Sequence, residues 1–100
     1  MKDKIIVHID PDIADLVPGF LENRRKDIAR LRSLVSQGDF AAIKVIGHSM
    51  KGAGGGYGFD PITEYGAAIE RAAQAADGGA VLAQTALLES YLEAVEPTAD

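Results

Sequence analysis

Apolar residues recur along this chain at helical spacing in four stretches, separated by short clusters of Gly, Asp and Pro. In the first, residues 18–37, Leu21, Ile28, Leu31 and Val35 form one stripe, while Glu22, Arg25, Lys26 and Arg32 lie off it. Gly38 supplies a C-terminal stop, and Asp39 an N-cap for the second helix. There, at about 100° per residue, Ile43, Ile46, Met50, Ala53 and Tyr57 share a core face. His48 falls on the opposite side, among Ala41, Lys44, Val45, Lys51, Gly52 and Gly55. Asp60-Pro61 combines a cap with proline at the first helical position, predicting a third helix with Ile62, Tyr65, Gly66, Ile69, Ala73 and Ala76 facing inward. Gly78-Gly79 is predicted as the following turn. The last helix, residues 80–95, buries Val81 or Leu82, Leu88, Leu92 and Val95, with Pro97 just beyond its end.

Upstream, Asp10-Pro11 opens a short helix that runs to about Val17. Before it, Ile5-Ile6-Val7-His8-Ile9 is a β-branched run with no second strand in the pattern to pair with. A lone strand is not stable, so residues 1–9 are predicted as an extended arm packed on the bundle. Amphipathic helices joined by turns of a few residues must lie antiparallel to their neighbours. The fold class is therefore all-α, an antiparallel up-and-down four-helix bundle over residues 10–96 with a short extra N-terminal helix.

Composition narrows the function classes. One hundred residues are enough for one core and too few for two domains. The absence of cysteine removes disulfides and thiolate metal sites, and fits a reducing compartment. A net charge of −5 argues against nucleic acid as the main partner. No stretch has the length of a secretory signal or a membrane span, so the chain is read as a soluble, cytoplasmic monomer. The basic run Arg24-Arg25-Lys26, with Glu22 and Asp27 interleaved, reads as a solvated helix face.

The run from Gly47 to Gly58 carries the candidate chemistry. Five glycines between Gly47 and Gly56 cost about 4 to 5 kcal/mol relative to alanine if all are helical. A phosphate-binding loop does not explain them, because Ala53 stands where the P-loop lysine belongs and no register satisfies G-x-G-x-x-G. A metal site lacks ligands, since the only histidines are His8 and His48. Ser49 has only His48 beside it, and adjacent helical side chains diverge, so a serine nucleophile lacks its base. His48 itself remains: imidazole is substantially neutral near pH 7 and attacks phosphorus through nitrogen. Lys51, one turn on, and Lys44, one turn back, sit where they can pair with phosphoryl oxygens. On the helical projection Gly47 and Gly54 flank the core face and serve close packing, while Gly52 and Gly55 clear the approach to His48.

These residues resemble the histidine-containing phosphotransfer (Hpt) domains of multistep bacterial phosphorelays. The resemblance rests on His48-Ser49-Met50-Lys51-Gly52, similar to the family's H-x-x-K-G core, and on Ala53-Gly54, Gly58-Phe59 and the helix from Ile62 to Ala73. Residues 18–25 and Gly38-Asp39-Phe40 are also similar to the family's upstream helix and turn. The resemblance implies that His48 accepts a phosphoryl group from the aspartate of one receiver domain and passes it to another. It implies that Lys51 steadies the phosphoryl group and that Gly52 leaves room for the incoming receiver; the helical projection adds Lys44 as charge support and Gly55, Ala41 and Val45 as the rest of the docking surface. It also implies that Mg²⁺ belongs to the receiver and that this chain needs no cofactor or metal. The partners are then response-regulator receivers or a hybrid histidine kinase, and the chain is no enzyme of its own, lacking an ATP-binding domain, whether free-standing or excised from a kinase. Two readings compete: a helical interaction module whose histidine is never phosphorylated, and a domain phosphorylated directly by a kinase catalytic domain.

Overall fold

A computed structural model describes residues 3–99. In chain order the elements are strand β1 (Ile5–Ile9), a 3-10 helix (Pro11–Leu16), α1 (Val17–Gln37), α2 (Phe40–Gly54), a 3-10 turn (Gly55–Tyr57), α3 (Asp60–Gln74), α4 (Gly78–Ala94) and β2 (Val95–Ala99). The four helices form the bundle that their periodicity predicts.

Local side-chain chemistry sets most of the boundaries. The Asp10 carboxylate accepts from the Asp12 N–H at 2.9 Å, Asp39 from Ala42 at 3.1 Å, and Asp77 from Ala80 at 3.0 Å. Each cap satisfies an N–H that its helix cannot. Gly38, at φ 70°, closes α1 in the left-handed region that glycine enters without strain. Leu31, Ile43, Met50, Phe59, Ile62, Ile69, Val81 and Leu88 are fully buried between the helices. Thr85 is buried too, its hydroxyl donating to the Val81 carbonyl at 2.8 Å.

Several boundaries differ from the sequence reading. The turn before α4 is made by Ala75, Ala76 and Asp77, with Ala76 at φ 51°. Gly78 and Gly79 lie inside α4, and Ala76 is exposed rather than core. A Cβ on Gly78 would stand 3.1 Å from the Val35 side chain, so glycine here admits the end of α1. Phe59, not Asp60, occupies the cap position of α3, and Asp60 and Pro61 form its first turn. Of the Val81 and Leu82 pair, Val81 is the core residue, and Tyr91 joins it.

The N-terminal arm has a partner that the hydrophobic pattern does not reveal. β1 pairs in parallel with β2, in register from Ile5 with Val95 to Ile9 with Ala99. The last helix therefore stops at Ala94, and Val95 begins a strand. Parallel strands need a long crossover, and here the whole bundle is that connection. Ile9 is buried and Val7 packs on the core, which anchors a two-stranded sheet that alone would be marginal. The predicted arm is thus extended and packed, but paired; its residues 1 and 2 lie outside the described residues.

The basic run on α1 is not wholly solvated. Asp27 is buried, with its carboxylate 2.8 Å from Arg24 Nε and 3.4 Å from an Arg30 nitrogen. Arg24 lies over the Phe20 ring, 5.1 Å from its centre. Burial holds the Asp27 carboxyl above its usual range, and the two arginines offset only part of that rise.

Candidate functional site

The site begins with a close helix crossing. A Cβ on Gly66 would stand 2.5 Å from the Lys51 backbone nitrogen and 2.8 Å from the Gly47 carbonyl oxygen. One on Gly47 would meet the Glu70 nitrogen at 2.8 Å, and one on Gly54 the Thr63 nitrogen at 2.6 Å. Only glycine permits this contact of backbone with backbone. The Thr63 hydroxyl fastens it, donating to the Lys51 carbonyl at 3.1 Å and accepting from the Gly55 N–H at 2.8 Å. Because α2 ends at Gly54, only Gly47, Gly52 and Gly54 pay the helical penalty, about 3 kcal/mol in all.

The crossing brings α3 against the outer edge of α2 and delivers Glu70 to His48. One carboxylate oxygen, Oε2, lies 2.8 Å from His48 Nδ1, and the other, Oε1, lies 2.7 Å from Lys51 Nζ. A carboxylate only accepts, which assigns the ring proton to Nδ1 and leaves the lone pair on Nε2. The His48 side chain is 70% exposed, while that of Glu70 is 14% exposed. The Lys51 ammonium first, and the His48 N–H second, hold the Glu70 carboxyl below its usual range.

Glu70 is absent from the sequence-level site. The apolar stripe of α3 assigns it no role, and the signal that finds it is its place one turn after Gly66, the residue that lets α3 reach α2. Lys51 also stands differently from the expectation. Its ammonium is engaged by Glu70, so a carboxylate bridges it to the histidine. Lys44 and Val45 are exposed, and with Ser49, Glu70 and Gln74 they line a groove beside His48. Ala41 is exposed one turn further back. Gly52 is exposed and open, with nothing within 4 Å of an added Cβ. Gly55 is the first residue of the 3-10 turn that follows α2, and it is exposed. Gly47 and Gly54 serve close packing, as their flanking positions predict.

Among the described residues no group of three or more His, Cys, Asp or Glu side chains is placed to hold a metal ion. Nor, among the described residues, is any helix long and apolar enough to cross a membrane.

The family model of the Hpt domain matches residues 15–98, a span that includes all four helices. No curated protein and no solved structure matches the chain. Hpt domains are histidine phosphotransfer modules of phosphorelays, distinct from kinase catalytic domains, and they interact with receiver domains and histidine kinases. With its bundle, and with an exposed histidine on the outer face of the second helix, this chain belongs to the Hpt domain family.

Proposed function

We propose that His48 is the phosphorylated residue, taking a phosphoryl group from a receiver-domain aspartate and passing it to the aspartate of another receiver. The observation that carries this reading is the orientation of the ring. Glu70 anchors Nδ1–H at 2.8 Å, so the lone pair of Nε2 faces solvent on an exposed side chain.

In the forward step Nε2 attacks phosphorus, the Nε2–P bond forms, and the P–O bond to the aspartyl group breaks. The aspartate leaves as a carboxylate, so no proton needs to be supplied. The phosphorylated ring gains positive charge, which Nδ1–H shares with the Glu70 carboxylate. Lys51 has three N–H donors and spends one on Glu70, leaving others for phosphoryl oxygens. Lys44 lends charge from the other side. Return transfer is the same step reversed. The Mg²⁺ of such a reaction sits in the receiver, and no residue of this chain is asked to hold one. Gly52, Gly55, Ala41 and Val45 form the surface the receiver meets, with open space above Gly52 for close approach.

Incubation with a phosphorylated receiver tests the assignment. The wild-type chain should acquire an acid-labile, alkali-stable phosphate, and His48→Gln should acquire none while keeping its helical content. A phosphate of that stability on the variant would overturn the reading. Labelling from ATP by a kinase catalytic domain, run beside the receiver reaction, separates relay from direct phosphorylation.

A further inference from the structure

A second groove adjoins the one at His48. Arg24, Asp27 and Arg30 of α1 line it together with Val45, Ile46 and Ser49 of α2. Val45 and Ser49 also line the His48 groove, so the two form one continuous surface across α2. A partner large enough to cover His48 and Val45 must therefore meet the α1 rim.

That rim is cationic in a chain of net charge −5. Asp27 is one carboxylate shared between two guanidinium groups, which leaves one positive charge over. Glu70 is already matched by Lys51, so Lys44 adds a second. Arg30 is the member placed to present that charge. Its side chain is 64% exposed, and its hold on Asp27, at 3.4 Å, is the looser of the two. Arg24 is more deeply set, with its side chain 14% exposed. Asp27, buried beneath both, positions the pair.

We infer that Arg30 is a specificity-determining contact for the receiver, engaging an acidic side chain on the rim of its docking face. The inference rests on the reading of His48 as the phosphoryl acceptor, and it adds a partner chemistry to one side of that site. A rim charge of this kind acts on encounter and affinity more than on the bond-making step.

The probe is a purified receiver domain, phosphorylated from acetyl phosphate for the transfer assay and unphosphorylated for a binding titration. Arg30→Glu should raise the receiver Kd about tenfold or more at low salt. The transfer rate at saturating chain should stay within about twofold of wild type, because His48, Lys51 and Glu70 are untouched. The gap in Kd should close in high salt, where exposed charges are screened. Arg30→Gln, which places no like charge beside Asp27, should show a smaller shift in the same direction. Arg25→Glu makes the same charge change on α1 but lies in the groove with Arg32 and Glu89, and its Kd should match wild type. Equal Kd values for wild type, Arg30→Gln and Arg30→Glu would overturn the inference. So would an equal shift from Arg25→Glu, which would mark a general charge effect. Binding that depends on Arg30 without any transfer to His48 would instead refute the phosphoryl-acceptor reading and leave the Arg30 contact standing.

Discussion

The two flanks of α2 are built on opposite principles. Toward α3 the contact is mainly backbone on backbone, with Gly47, Gly54 and Gly66 interlocked and the Thr63 hydroxyl fastening them. Toward α1 the surface is built from long side chains that α1 pairs among themselves, with Arg24 stacked on Phe20 and Asp27 buried between two arginines. These charged side chains line a groove with Val45, Ile46 and Ser49 of α2. A backbone contact has no soft torsion to absorb error, so it fixes the place of Glu70 against His48 tightly. The α1 flank can rearrange through rotamers, which suits a surface that must fit partners. Precision is placed on the side of the chemistry and adaptability on the side of recognition.

Filling the α3 seam should do the most damage. Gly66→Ala adds a methyl 2.5 Å from the Lys51 nitrogen, an atom that no rotamer change can move. Overpacking of this kind costs about 1–3 kcal/mol, offset by roughly 1 kcal/mol of helix propensity. Because the clash is with backbone, the upper end is expected, and Tm should fall by about 4–8 °C per kcal/mol. Phosphoryl acceptance should fall too, since α3 must retreat and carry Glu70 with it. A Tm equal to or above wild type would show that the seam has slack.

The same substitution at Gly52 should have the opposite sign. Nothing lies within 4 Å of the added methyl, and the residue is exposed and helical, so Gly52→Ala should stabilise by about 1 kcal/mol. A bulky residue at this position should leave Tm near wild type and weaken receiver binding. Loss of thermal stability in the alanine variant would mean that Gly52 belongs to the packed seam. Unaltered binding by the bulky one would remove it from the docking surface.

What the sequence discloses follows the range of the interaction. The caps at Asp10 and Asp39 are legible because each carboxylate reaches an N–H two or three residues on, whereas the Asp77 cap is masked by the Gly78-Gly79 pair beside it, which reads as a turn. His48 is legible as exposed because Ile43, Ile46 and Met50 fix the opposite face. Glu70 is not legible, because it meets His48 across 22 residues through a crossing that periodicity cannot rotate into place. β2 hides for a similar reason. Its residues include Pro97, which lacks an N–H and argues against a strand, and its partner lies at the other end of the chain. Asp27 misleads because a charged residue amid arginines on a helix normally faces water, and only the packing of α1 shows it buried.

The smallest effect, and the one that isolates the bridge between the flanks of the site, is the pH dependence contributed by Glu70. Its carboxyl is held below the ordinary value of 4.5, first by Lys51 and then by His48. A carboxyl whose folded value is depressed stabilises the fold above its unfolded value, and that stabilisation disappears as pH falls through the lower, folded one. Wild type should therefore unfold at a slightly higher temperature than Glu70→Gln at neutral pH. The difference should hold down to about pH 5 and shrink as the pH drops further, because both chains then carry a neutral side chain at this position. Thermal melts of the two proteins across this range measure it. A difference that stays constant into strong acid would mean that Glu70 acts through its shape and hydrogen-bonding alone. Its charge, which the mechanism uses to balance the phosphorylated ring, would then have no hold on Lys51 and His48 in the resting state.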